Sequence, residues 1–183
     1  MGAGGSASAL GLSPTRGRGL LDETMSRTLV IGYGNIDRQD DGVAYAVINA
    51  LRCQLGQAPL GEGETGLDDL GAQVDSVFVL QLAPDLLDVA ADYEQVVFVD
   101  AHVRSDVDDL YCEPVRPEYA TAAFTHHMTP ALFLALLQAL HYRQPAGRFV
   151  SVRGHQFDFE RGLSAATGAL VPLAAAEIRK LVR

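Results

Sequence analysis

Three stretches of this chain hold the side chains best suited to chemistry: the run Gly34-Asn35-Ile36-Asp37-Arg38-Gln39-Asp40-Asp41, the isolated Asp100, and the pair His126-His127. An Asp, Asp, His set offers the oxygen and nitrogen donors that suit nickel, zinc or iron. Three protein ligands would leave positions open for a substrate group, or for a water whose pKa falls to roughly 7 on a divalent ion. The residues are far apart in the chain and form no local metal motif, and each has an ordinary structural role open to it. Asp40 and Asp41 could be a charge pair at a helix N-terminus. Asp100 could close a strand and cap the loop after it. His126 and His127 could sit in a loop before a helix capped by Thr125 or Thr129.

Other chemistries find less support. Gly32 and Gly34 supply the first two glycines of a Gly-x-Gly-x-x-Gly fingerprint, but Asp37 stands at the third position and Asp40 and Asp41 follow. A pyrophosphate would meet repulsion where it needs donors, which argues against a nucleotide. No Gly-x-Ser-x-Gly elbow occurs, and neither Cys53 nor Cys112 lies in a His-bearing motif. Cys53 is expected on the apolar side of a helix, in the core. Two cysteines so far apart make no disulfide framework and fit a reducing compartment, so a cytoplasmic location is expected.

These residues need a scaffold, and the hydrophobic pattern predicts one. Residues 28–33, 74–80, 96–100 and 148–154 read as strands, the first and third as continuous apolar runs of the buried kind. Leu110 to Val115 reads as a short edge strand limited by Pro114. Helices are expected from Gly42, with Val43, Ala46, Val47, Ala50 and Leu51 at three and four spacing, from Asp85 to about Ala91, and from Met128 to Tyr142. A last helix is capped by Ser164 and runs to about Val182, with a kink or break expected at Pro172. The Gly- and Glu-rich residues 56–72 read as a loop. Strands alternating with helices predict an α/β fold: a three-layer α/β/α sandwich with a mostly parallel sheet, whose ligands bind beyond the carboxyl ends of the strands.

With 183 residues, 48% hydrophobic and 20% charged, the chain suits one compact domain, expected over 26–183. Residues 1–25 are rich in Gly, Ser and Arg and are expected to form a disordered extension. The net charge of −9 disfavours nucleic acid and anionic membranes as partners. No apolar run reaches the ~18 residues of a membrane span. The oligomeric state is left open.

The stretch from Gly32 to Gly42 resembles the Gly-x-Gly-Asn...Asp-Asp/Glu-Gly signature of the nickel-iron hydrogenase maturation endopeptidases. Val97-Phe98-Val99-Asp100-Ala101 is similar to that family's strand ending in Asp-Ala, and Thr125-His126-His127-Met128 to its His-x-Leu/Met before a helix. Val152-Arg153-Gly154 with Phe157, and then Gly162-Leu163-Ser164, resemble the closing strand, loop and last helix of one branch. The likeness covers residues 28–183, with the motifs in the family's order. It implies that Asp41, Asp100 and His126 bind the metal and carry catalysis; His126 rather than His127, because counting from it places Met128, Phe133, Leu134 and Leu137 on the family's apolar helix positions. It also implies nickel, possessed by the substrate, with zinc or another divalent ion able to substitute. The implied activity is removal of a carboxyl-terminal extension from a hydrogenase large-subunit precursor after nickel insertion, that precursor being the protein partner. A nickel-dependent chaperone for the large subunit, binding without cutting, is the alternative. The chain departs from the family at Gln81-Leu82-Ala83-Pro84-Asp85, where many members carry a Gly-Thr turn, and residues 56–72 look like an insertion.

Overall fold

A computed structural model describes Met1, residues 26–119 and residues 128–182. Most of the expected amino-terminal extension and the His126-His127 pair lie outside the described residues. Strand β1 (Thr28–Tyr33) leads through a 3-10 turn at Gln39–Gly42 into helix α1 (Val43–Gln54), and a second 3-10 turn at Leu67–Asp69 precedes β2 (Val74–Val79). Then follow α2 (Leu86–Ala90), β3 (Gln95–His102), β4 (Leu110–Val115), α3 (Pro130–His141), β5 (Ala146–Arg153) and α4 (Ala165–Leu181). The five strands form one sheet in the order β2-β1-β3-β5-β4, parallel except for the antiparallel edge strand β4.

Both faces of the sheet are covered, which explains why the central strands are apolar at nearly every position. Alternate residues feed separate cores. Val30, Val97, Val99, Val150 and Val152 pack beneath α1 and α4, against Val47, Ile48, Ala174 and Ile178. Leu29, Ile31, Val96 and Phe98 face the other way, onto Leu86 and Leu87 of α2 and Phe133 and Leu137 of α3. The Phe98 and Phe133 rings meet edge to face at 5.5 Å, a favoured aromatic geometry. The result is the three-layer α/β/α sandwich expected from the sequence. Among the described residues, no helix is long and apolar enough to cross a membrane.

Three expectations are corrected. β3 does not end at Asp100; it continues through Ala101 and His102 because β5 is long enough to pair with them, at Val152 and Arg153. α4 runs unbroken through Pro172, which stands on its exposed side, so the Gly168 carbonyl that loses its helical donor lies on the side open to water. Cys53 is exposed, not core. The inner position of α1 belongs instead to its neighbour Arg52, only 4% exposed.

That buried arginine explains the loop at 56–72. The outward edge of β2 would otherwise present unpaired peptide groups. Phe78 N–H donates to the Thr65 carbonyl at 2.9 Å, the Gln57 amide donates to Val74 O at 2.8 Å, and Arg52 Nη1 donates to Ser76 O at 3.3 Å. Arg52 also donates to Ala58 O at 2.5 Å and to Asp69 Oδ2 at 2.7 Å, pinning the loop over the strand it covers.

Candidate active site

The loop after β1 is shaped by its glycines. Gly34 has φ +139°, a conformation a side chain rarely adopts, and a Cβ there would collide with the Asp41 carbonyl. A Cβ on Gly42 would come within 2.7 Å of Ile36 Cα. The chain therefore doubles back tightly between Gly34 and Gly42. At the mouth of this turn Asn35 N–H donates to Asp41 Oδ2 at 3.0 Å, and the Asn35 side chain accepts from Asp37 N–H at 2.9 Å.

The two adjacent aspartates of this loop have different fates. Asp40 is completely buried. Its Oδ2 accepts from the His155 and Gln156 N–H groups at 2.8 and 2.9 Å and from the Ser164 and Thr167 hydroxyls at 2.7 and 2.8 Å; its Oδ1 accepts from Ser164 N–H at 2.7 Å. Burial alone would raise its pKa, but these donors outweigh it and hold the carboxyl at about 2. Asp41 instead lines an open cleft of about 640 Å³ at the carboxyl ends of β1 and β3. Neither residue caps α1: its N-cap is Gly42, with no side-chain cap.

Asp100 lines the same cleft, so residues from two of the three motifs meet there. Its Oδ1 accepts from Ala101 N–H at 2.7 Å. Burial, and after it the negative charge of Asp41, push the Asp100 carboxyl up to about 7, despite the opposing effects of Ala101 N–H and the Tyr33 phenol. Tyr33 is in turn held neutral, by burial first and then by the charge of Asp100. A carboxyl poised near neutrality can take and give a proton, and two acidic side chains lining one cleft favour a bound cation. The side chains that could hold a metal ion here are the carboxyls of Asp41 and Asp100.

His126 lies outside the described residues. Met128, two positions further along the chain, lines the cleft together with Thr129 and Pro130. Thr129 is the cap of α3, accepting from Leu132 N–H at 3.2 Å, while Pro130 fills the first turn. Among the described residues, no group of three or more His, Cys, Asp or Glu is arranged to hold a metal.

The cleft also contains residues to which the sequence reading gave no role: Tyr33, Arg38, Leu80, Gln81 and Leu82. The signal for Tyr33 was its place at the end of a buried strand beside Gly34. Arg38 lay in the right loop, and its guanidinium sits 5.6 Å from the centre of the Phe159 ring. Gln81 and Leu82 belong to the turn 81–85 at which the resemblance departs, and Leu80 before them is 67% exposed.

No family model matches the chain. No curated protein matches it either. Solved structures do. The hydrogenase maturating endopeptidase HybD from E. coli superposes with a TM-score of 0.62 at 21% identity, over 86% of this chain and 92% of that one. The NiFe hydrogenase maturation protease HycI from Thermococcus kodakarensis KOD1 gives 0.60 at 15% identity, over 86% and 92%. The maturation protease HybD from Thermococcus kodakarensis gives 0.55 at 20%, over 86% and 99%. Such identities speak for architecture, and the chain has the fold of the hydrogenase maturation endopeptidases.

Proposed function

We propose that this chain is a hydrogenase maturation endopeptidase that removes the carboxyl-terminal extension of a nickel-iron hydrogenase large-subunit precursor, using Asp41, Asp100 and His126. The observation that carries the reading is the convergence of Asp41 and Asp100 in one open cleft, beside the chain segment that begins at Met128. These residues are 59 positions apart in the sequence, yet they belong to two motifs that resemble the same family. The shared fold supports the same conclusion.

Asp41 and Asp100 supply the oxygen ligands and His126 the nitrogen. Nickel already seated in the precursor would be the ion they recognise, so that cleavage follows nickel insertion; zinc or another divalent ion could substitute. A divalent ion so held would act as a Lewis acid toward the scissile carbonyl. Asp41, tied to Asn35 N–H, presents a fixed carboxylate to the cleft. Asp100, whose carboxyl is held up to about 7 without a metal, would lose its proton on binding a divalent ion and serve as an oxygen ligand; without a metal it would be the general base toward water. Arg38 stands at the cleft as a cation able to hold a peptide carbonyl or carboxylate. The cytoplasm is the compartment we propose, in keeping with two free thiols.

Asp41→Ala and His126→Ala variants are expected to leave the precursor uncut while retaining the far-UV circular dichroism of the parent. Normal processing by both variants would refute the assignment. A chaperone that binds the nickel-loaded precursor without shortening it is the competing reading, and the mass of the precursor after incubation separates the two.

A further inference from the structure

Asp40 offers nothing to the cleft, yet it draws more donors than any other carboxylate described above. All five come from one remote part of the chain, the stretch from His155 to Thr167 that runs from the end of β5 into the first turn of α4. Further bonds run beside them. Asp40 N–H donates to Gln156 O at 3.1 Å, Gln39 N–H donates to Glu160 O at 2.8 Å, and Asp158 N–H donates to the Gln39 side chain at 3.3 Å. Gln39 itself has φ +47°, a left-handed conformation that is uncommon for a residue with a side chain. The loop is thus held in a shape it would not choose alone, and the holding contacts sit immediately before Asp41. Packing is equally close: a Cβ on Gly154 would lie 3.1 Å from Asp40 Cβ and would overlap the Phe157 ring.

We propose that Asp40 is a positioning residue for Asp41, fixing the cleft loop to the β5–α4 segment so that the Asp41 carboxylate is presented at one geometry. The inference rests on the proposed function for its catalytic consequence, but not for its structural one. A carboxylate is required because it alone accepts from five donors at two oxygens; an amide of the same shape would turn an N–H toward groups that are themselves donors. Thr167 lies in α4, outside the residues that line the cleft. Its hydroxyl lies 2.8 Å from Asp40 Oδ2 and 2.9 Å from Arg153 O and can donate its one proton to either. A change at Thr167 therefore affects the cleft through Asp40.

The test uses Asp40→Asn and Thr167→Val in the full chain, with two readouts. The first is amide hydrogen exchange at Asn35, whose N–H is bonded to Asp41 Oδ2 and reports the position of that carboxylate without any assumption about function. The second is cleavage of nickel-loaded precursor. Exchange at Asn35 should accelerate by about tenfold or more in Asp40→Asn, and less in Thr167→Val, while amides of β1 and β3 stay protected. The rate constant for cleavage should fall by about tenfold to a hundredfold with little change in KM, since misplacing a reacting group harms turnover more than binding. Asn35 exchange equal to the parent in both variants would overturn the proposal, whatever their thermal stability. If the parent protein does not cleave precursor at all, the proposed function fails, and Asn35 exchange alone decides this inference.

Discussion

Adjacent aspartates in one loop have opposite electrostatics, and each makes its own prediction. Asp40 has a folded pKa of about 2 against an ordinary value of 3.8, so it adds stability above pH 4 that is lost as the pH falls toward 2. Asp100 shows the reverse shift. Its pKa rises from 3.8 to about 7, so the folded state keeps a proton that the unfolded chain has already released. Stability must fall as pH climbs from about 4 to 7, and the full penalty persists above that. Asp100→Asn removes the buried charge while leaving an oxygen for Ala101 N–H. The variant is expected to be more stable than the parent at pH 8 by on the order of 1–2 kcal/mol, with the difference gone at pH 4, while cleavage is lost. Urea denaturation at the two pH values checks this. A variant less stable than the parent at pH 8 would show that Asp100 supports the fold. Choosing between Asp40 and Asp41 required more than local sequence: the donors of Asp40 lie 115 to 127 residues away, and no spacing rule reaches that far. The family resemblance implies the metal-facing role for Asp41, and Asp41, unlike Asp40, lines the cleft.

The elements of secondary structure show the same division between local and distant causes. β1 and the centre of β3 were legible because a strand buried on both faces must be apolar throughout, and the cap of α4 because Ser164 accepts from the backbone at the third residue of the helix; for α3 the sequence offered Thr125 or Thr129, and Thr129 is the cap. The extension of β3 to His102 was not legible, since a polar residue after Asp100 reads as loop until its partner Arg153 is known. Arg52 and Cys53 exchanged roles for a related reason. Helical periodicity ranks an arginine as outer and a cysteine as inner, but the edge of β2 and the 56–72 loop present carbonyls that only a long donor can satisfy. Arg52→Met should therefore destabilise the protein by about 2–3 kcal/mol, through the stranded Ala58 and Ser76 carbonyls rather than through the exposed Asp69 pair. It should also uncover a strand edge, and light scattering is expected to show more self-association than in the parent. Unchanged stability and scattering would mean that the loop covers β2 without this anchor.

Across the whole molecule, the sheet order β2-β1-β3-β5-β4 brings the ends of β1 and β3 together as neighbours, so a loop residue at 41 and a strand residue at 100 share one rim. The sequence pattern predicted the layers and the parallel sheet; the cleft depends on the order of strands, which no periodicity encodes. The net charge of −9 makes an acidic surface in which Arg38 is a cationic feature of the cleft, suited to holding a peptide rather than a phosphate backbone. On the proposed function, this rim cuts a nickel-bearing precursor. The most direct test is the intact mass of a hydrogenase large-subunit precursor after incubation with the purified protein, with and without nickel in the precursor. A mass lower by one carboxyl-terminal segment is expected for the nickel-loaded precursor alone, with no loss for Asp41→Ala; a stable complex of undiminished mass, or equal cutting by Asp41→Ala, would overturn the proposed function.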